Sequence, residues 1–136
     1  MRDIEFRGKR KDNGEWVIGG FTNDAIDNPR ITTKNPDGGG LLFHFVIPET
    51  VGQWTGLKDK NGVKIFEGDI VKFKAIKGYD AYNEIVWNEK EAGFFSIGKR
   101  KRERKNYVSL SYMINVVGIE VIGNIHDSPE LLEAKP

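Results

Sequence analysis

The sequence predicts a mainly β protein built from antiparallel strands. Short runs of alternating apolar and polar residues, rich in Val, Ile, Phe and Trp, recur along the chain at intervals of about 8 to 12 residues. Glycine and Asn-Gly or Asp-Gly turns separate them. The 136 residues include 16 glycines but only two methionines, which is typical of a turn-rich chain rather than a helical bundle. Strands at this spacing indicate a barrel or a sandwich.

Residues 1–56 are expected to form an N-terminal β region. Residues 4–7 and 15–18 alternate as two strands joined by the turn at 12–14. The apolar residues expected to share one core in this hairpin are Ile4, Phe6, Trp16 and Ile18. Residues 22–40 are rich in Asn, Pro, Asp and Gly, and we expect one long loop there, of a kind that is functional or mobile. Residues 41–47 restore a strand that ends at Pro48.

The centre of the chain, residues 56–73, is expected to be a hairpin that leads into a buried strand. Asp59 to Gly62 reads Asp-Lys-Asn-Gly, a tight turn in which the Asp carboxylate accepts backbone N–H bonds. Gly68 provides a sharp corner, and we expect Asp69 to cap that corner in the same way. This stretch opens the second expected part of the chain, residues 57–136, packed as one compact unit.

The remaining elements follow in order. Residues 84–87 and 94–97 are strands, and residues 107–115 could be a strand or a short helix. Residues 116–125 are strongly apolar and are expected to form a buried strand that bends at Gly118 and Gly123. Ser128, Pro129 and Glu130 are typical of a helix start, so we expect a short C-terminal helix.

The residue inventory favours a non-enzymatic protein. The absence of cysteine excludes disulfides and thiol chemistry, and two histidines, His44 and His126, are too few for a histidine-rich metal site. The turn at Asp59 is not a calcium loop, because Gly62 comes two places too early and Ile70 occupies the place of the bidentate Glu. No serine lies in a nucleophile elbow and no phosphate loop is present. We therefore expect no catalytic residue, no metal and no cofactor. No apolar run approaches the length of about 20 residues that spans a bilayer.

One local feature stands out by its charge. Residues 99–105 hold six of the 21 basic residues and one of the 20 acidic residues, which leaves 15 basic and 19 acidic residues elsewhere. Such a run can contact phosphates without reading sequence, and a nearby tyrosine can stack on unpaired bases. The candidate anion-binding or nucleic-acid-binding residues are Lys99, Arg100, Lys101, Arg102, Arg104, Lys105 and Tyr107. The alternative is a solvated loop kept extended by its like charges.

Several phrases, in order, resemble the YopX family of small phage and prophage proteins. They are IEFRGK at 4–9, VGQWTGL at 51–57, DKNG at 59–62, EGDIV at 67–71, EVIGNI at 120–125 and PELL at 129–132. The resemblance runs from the first strand to the last helix, apart from residues 22–40 and 75–115. It implies an all-β chain whose C-terminal part is an SH3-like barrel, encoded by a phage and found in the cytoplasm of the bacterial host. It implies no established activity and no set of functional residues.

Three functional classes remain open at this point. The expected one is a binding module for a macromolecule of host or phage, either nucleic acid or an acidic protein. The second is a homo-oligomeric accessory protein that assembles through strand edges and aromatic side chains such as Trp54, Tyr79 and Tyr82. An enzyme is the least favoured, because no nucleophile and base are paired in the sequence.

Overall fold

The fold is seen in a computed structural model that describes residues 1–24, 26–98 and 106–133. In these residues, eleven strands form two antiparallel sheets. The mainly β, antiparallel prediction is therefore confirmed. The strands are β1 (Phe6–Lys9), β2 (Trp16–Thr22), β3 (Arg30–Lys34), β4 (Leu41–Phe45), β5 (Gly52–Lys58), β6 (Lys64–Phe66), β7 (Asp69–Lys74), β8 (Asp80–Asn88), β9 (Gly93–Gly98), β10 (Asn106–Ser109) and β11 (Glu120–Asn124).

The strands are ordered β4-β3-β2-β1-β5-β6 in the six-stranded sheet and β10-β9-β8-β7-β11 in the five-stranded sheet. The chain divides into two compact units, Met1–Gly56 and Leu57–Pro136. Three short helical segments interrupt the strands of the described chain. They are a 3-10 helix at Pro48–Thr50, the helix α1 (Leu110–Tyr112) that continues as a π-helix over Met113–Val117, and a 3-10 helix at Pro129–Glu133.

In the first unit, glycines in β1 and β2 let neighbouring parts of the chain approach these strands closely. Ile31 in β3 and Val46 just after β4 are fully buried. A Cβ on Gly8 would lie 3.0 Å from the Val46 side chain, and one on Gly19 would lie 2.0 Å from the Thr32 carbonyl oxygen. Side-chain-free positions in β1 and β2 are therefore a requirement of this packing.

Two expectations for this unit are wrong. β1 pairs with β2 so that Phe6 lies opposite Gly19 and Arg7 opposite Ile18. Paired residues share a face, so Trp16 and Ile18 lie on the face opposite Phe6, and Ile18 is 48% exposed. The predicted loop at 22–40 also contains the strand β3, which pairs with both β2 and β4. Prolines at 29 and 36 flank this strand, and Ile31 is its only apolar residue.

In the second unit, apolar side chains from the sheet and the helix form one core. The buried members are Ile65, Val71, Ile85, Leu110, Met113 and Ile119. Helix α1 begins where the Ser109 hydroxyl accepts a hydrogen bond from the Tyr112 backbone N–H. Because the chain turns into a helix at this point, β10 is only four residues long.

The two predicted turns of the second unit are confirmed. Asp59 Oδ1 accepts hydrogen bonds from the backbone N–H groups of Asn61 and Val63, both at 2.9 Å. Its Oδ2 accepts a third from the Val121 N–H in β11, also at 2.9 Å. Gly68 has φ +85°, and the Asp69 carboxylate accepts the Phe66 N–H at 2.7 Å. Both carboxylates act as turn caps in a buried position.

The C-terminal expectations need two corrections. Hydrogen bonds in the described residues do not close the five-stranded sheet into a barrel, since β10 and β11 are both edges and the chain passes from β10 into a helix at Leu110. Residues 113–117 are helical rather than the start of a strand, and Val116 is 63% exposed. The segment 107–115 is a strand that changes into a helix after Ser109. The bend at Gly123 and the short helix after Ser128 are present as expected.

Candidate functional site

Six of the seven sequence-predicted site residues lie outside the described residues. They are the basic side chains of residues 99–105. Tyr107 is described and is 43% exposed. Its ring meets that of Phe95 in an edge-to-face contact, with 6.4 Å between the centroids. The structure thus leaves part of the Tyr107 side chain exposed to solvent.

A second candidate surface emerges from the strand register of the first unit. Paired residues share a face of the sheet and successive residues alternate between faces. Lys9 pairs with Trp16, Arg7 with Ile18, Thr22 with Arg30, Arg30 with Phe45, Thr32 with Phe43, and Lys34 with Leu41. One face therefore carries basic and aromatic side chains from four strands. We call it the cation–aromatic face: Arg7, Lys9, Trp16, Arg30, Lys34, Phe43 and Phe45.

The basic side chains of this face lie over its rings. The Arg7 guanidinium carbon is 4.7 Å from the Trp16 ring centroid, and Lys9 Nζ is 5.6 Å from it. The Arg30 guanidinium carbon is 6.0 Å from the Phe43 centroid and 6.0 Å from the Phe45 centroid. These distances fall within cation–π range, so the rings hold the cations in place at the surface.

The aromatic part of the face lies at a sheet edge and is open to solvent. Phe43 is 59% exposed and Phe45 48% exposed. β4 is the last strand of its sheet, and its Phe45 carbonyl oxygen accepts a hydrogen bond from the Lys11 N–H. Backbone groups alternate in direction along an antiparallel strand, so the N–H and carbonyl groups of Phe43 and Leu41 point to the same side of β4 as the Phe45 carbonyl, away from β3.

A concavity of about 400 Å³ borders these two rings. Its lining residues are Arg10, Lys11, Asp12, Asn28, Phe43, His44 and Phe45. Two cations, one carboxylate and one amide thus line the same hollow as the two phenyl rings. Such a mixture suits a ligand with a flat apolar part and a negative charge.

Two acidic side chains partly neutralise this region. Arg10 Nη2 lies 2.5 Å from an Asp12 carboxylate oxygen, and the hydrogen bond from Arg10 holds the pKa of Asp12 below its ordinary value. Arg30 Nη2 lies 3.9 Å from Asp24 Oδ2. The Arg10–Asp12 contact is bidentate, whereas the Arg30–Asp24 contact is long, so the Arg30 guanidinium is the more available of the two to another anion.

The candidate catalytic and metal-binding side chains do not assemble. His44 Nε2 lies 2.9 Å from Thr33 Oγ1, on the opposite face from Phe43. The backbone N–H of His126 donates a hydrogen bond to Asn124 Oδ1 in the second unit. In the described residues, no group of three or more His, Asp or Glu side chains could hold a metal ion. None of the described helices is long and apolar enough to cross a membrane.

Sequence reasoning missed the cation–aromatic face because its members come from strands far apart in the chain. The available signal was the alternation of Leu41, Phe43 and Phe45 next to a strand that starts with Arg30 and ends with Lys34. The loop predicted over residues 22–40 leaves β4 without this neighbouring strand, so the sequence does not predict that juxtaposition.

The family model described as YopX protein matches residues 5–133. This match covers both sheets and every helical segment described above. The chain belongs to the YopX family. No curated protein sequence matches this YopX family member.

The chain is also similar to a solved structure, the crystal structure of protein EF1440 from Enterococcus faecalis. The two share 27% sequence identity, with a TM-score of 0.61, over 97% of this chain and 99% of EF1440. The family match over residues 5–133 and the structural match over 97% of the chain thus cover nearly the same residues. Neither comparison names a ligand or an activity.

Proposed function

We propose that this YopX family protein is a non-enzymatic binding module for an anionic macromolecule. The observation that carries the proposal is the cation–aromatic face. Four basic side chains, Arg7, Lys9, Arg30 and Lys34, share its surface through strand register. Arg10 and Lys11 add two more at the adjoining concavity. The acidic side chains of this region are Asp12 and Asp24, which pair with arginines, and Glu5, which precedes β1.

The size of the electrostatic effect can be estimated from the number of cations. Each phosphate contact adds about 0.9 to the slope of log affinity against log salt for duplex DNA. Four to six contacts on this face would give a slope of about 4 to 5. The basic run at 99–105 is the second proposed contact, and it would raise the slope further. A solvated loop would leave the slope unchanged.

The C-terminal unit supports the same class of function by its topology. We infer that it is an SH3-like module, because β7 to β10 form a meander and β11 returns beside β7. A short helix precedes that return strand, over residues 110–117. SH3-like and other small barrels serve many unrelated functions, so this likeness supports a binding role and names no ligand.

The test is a panel of polyanions measured by fluorescence anisotropy at several salt concentrations. Duplex DNA, single-stranded DNA, heparin and polyglutamate are the probes. Lys9→Glu with Lys34→Glu should weaken binding at least about tenfold, because two attractions become repulsions. Lys101→Glu with Arg102→Glu tests the basic run in the same way. Lys77→Glu with Lys90→Glu, at two exposed turns of the second unit, is the charge-matched control. Failure of every polyanion to bind would refute the proposal.

Self-association is the second candidate function, and one observation favours it. β4 is an edge strand that exposes Leu41 by 57%, Phe43 by 59% and Phe45 by 48%. Apolar edge strands pair readily with a second copy. Trp54, Tyr79 and Tyr82, the aromatic residues expected at such an interface, are all half-buried. Light scattering across a concentration series distinguishes a dimer or larger assembly from a monomer, and Phe43→Lys should dissolve any assembly built on this edge.

We also propose that the protein is of phage or prophage origin and acts in the host cytoplasm. The support is what the YopX resemblance implies. Fractionation of a producing strain tests the location: recovery in the membrane or secreted fraction would refute it. Flanking integrase or capsid genes would support the phage origin.

A further inference from the structure

We propose that the edge of the cation–aromatic face binds single-stranded nucleic acid, with two successive bases stacked on Phe43 and Phe45. This inference rests on the proposed function and names its partner. The phosphates would lie along Arg30 and Lys34, and the concavity lined by Arg10 and Lys11 would receive the next nucleotide.

The spacing of the rings selects an unpaired strand. Phe43 and Phe45 are two residues apart in β4, which places their Cα atoms about 6.8 Å apart. Successive bases in a duplex strand are separated by about 3.4 Å. Bases that occupy both rings must therefore be stretched to about twice the duplex rise, and only a single strand can be stretched in this way without breaking pairs.

The exposure of the two rings leaves part of each one accessible to a base. Both phenyl groups are about half exposed at a sheet edge, with values of 59% and 48%. Base–aromatic stacking tolerates any sequence because every base has a flat apolar face. Removing one stacked ring lowers affinity by about 5- to 150-fold.

The charges lie where a sugar-phosphate backbone would follow the rings. Arg30 is paired with Phe45 and lies 6.0 Å from both ring centroids. Lys34 projects from the same strand and face, beside Leu41. The cations thus form a line in β3 parallel to the line of rings in β4. Phosphates on one line and bases on the other match the two halves of each nucleotide.

The concavity continues this site beyond Phe45. Its volume of about 400 Å³ lies within the range of about 300 to 1,000 Å³ for small-ligand pockets. Asn28 supplies an amide donor and acceptor for a base edge, while Arg10 and Lys11 supply charge for a phosphate. A site for at least three nucleotides results: two stacked bases and one held in the concavity.

The experiment compares a fluorescent oligothymidine of twelve nucleotides with a duplex of equal length and with heparin, at several salt concentrations. The single strand should bind at least about tenfold more tightly than the duplex. Phe43→Ser with Phe45→Ser should weaken single-strand binding at least about 25-fold and leave the salt slope unchanged. Lys34→Gln should lower that slope by about 0.7.

Leu42→Ser is the matched control. Leu42 is in the same strand and 39% exposed, but it faces the other side of the sheet, opposite Thr33. The Leu42→Ser variant should bind the single strand as tightly as the unchanged protein does. Circular dichroism and a thermal melt establish that each variant is folded, and a Phe43→Tyr with Phe45→Tyr variant should retain binding.

The possible failures are distinguishable. Equal binding of single strand, duplex and heparin would overturn the stacking inference and leave the proposed function standing. The same holds if Leu42→Ser weakens binding as much as the double phenylalanine variant. Binding of polyglutamate but not nucleic acid would also overturn the inference alone. Absence of binding to every polyanion would overturn the proposed function and the inference together.

Discussion

Gly19→Ala should destabilise the first unit strongly, whereas Gly20→Ala should not. A Cβ on Gly19 would lie 2.0 Å from the Thr32 carbonyl oxygen and 3.2 Å from Ile31 Cγ2. On Gly20, a Cβ would meet nothing within 4 Å. The two glycines are adjacent in β2, so the second substitution controls for composition, strand propensity and chain entropy.

The size of the effect follows from the displacement that the methyl group requires. An ordinary contact needs more than 3.0 Å, so β3 must move away from β2 by about 1 Å or more. The β2–β3 pairing covers only Gly20 to Thr22, and its bonds are worth about 1 kcal/mol each. Losing two of them and part of the Ile31 packing costs about 3 kcal/mol. Gly20→Ala should change stability by less than about 1 kcal/mol, in the stabilising direction.

Urea unfolding followed by tryptophan fluorescence measures this difference. In a Trp87→Phe background, the remaining reporters, Trp16 and Trp54, both lie in the first unit. With a slope of about 2 kcal/mol per M, the Gly19→Ala midpoint should fall by about 1.5 M. Midpoints of the two alanine variants within about 0.3 M of each other, at equal slopes, would refute the close-approach argument.

Three further predictions concern the turn cap, the helix and an ion pair. Asp59→Ala should lower the free energy of unfolding by about 2 to 4 kcal/mol, because three backbone N–H groups lose their acceptor, and Asp59→Asn should recover part of that loss in the same urea assay. Ile119→Ala should cost about 2 to 4 kcal/mol at a position that is 1% exposed, and Val116→Ala under about 0.5 kcal/mol at one that is 63% exposed; similar costs would contradict the helical placement of residues 113–117. Carbon-detected NMR titration should give Asp12 a pKa below its ordinary value, and Arg10→Gln should raise that pKa. Because the folded-state pKa is the lower one, the stability from this pair is present above the ordinary aspartate pKa and is lost as pH falls through the folded value.

Local chemistry made the turns of the second unit predictable. Asp59 and Asp69 cap their turns through bonds to residues at most four positions away. Such contacts are local in the sequence, so a short motif is sufficient to predict them. The bond from Asp59 to Val121 spans 62 positions and leaves no local signal. The sequence therefore predicted the turn and missed its link to β11.

Register and burial were the parts that sequence could not supply. The alternation of residues 15–18 predicts a strand, but the pairing of Arg7 with Ile18 decides which face Trp16 occupies. A shift of one residue would reverse that face. The sequence does not predict β3, because this strand lies between Pro29 and Pro36 and has one apolar residue, Ile31, instead of an alternating pattern. Tertiary packing nevertheless buries Ile31 completely.

The helix over residues 110–117 had a signal that was outweighed. Leu110, Met113 and Ile114 recur at helical spacing and all contribute to the core. The neighbouring apolar residues Val116 and Val117 favoured a strand, yet they lie on the exposed side of the helix. Basic residues were likewise easiest to notice where they are consecutive. The cations of the cation–aromatic face are divided between β1 and β3, and only strand pairing brings them together.

The hydrogen bond between Asp59 and β11 also constrains how the chain is completed. During synthesis, the turn around Asp59 emerges long before Val121 does, so its carboxylate keeps one oxygen hydrated until the last strand arrives. β7, β8 and β9 can pair beforehand, because each follows its neighbour closely in the chain. Arrival of β11 then withdraws that carboxylate from water and joins the start of the second unit to its end. A nascent chain that stops before residue 119 contains β7, β8 and β9 but lacks the hydrogen bond from Val121 to Asp59.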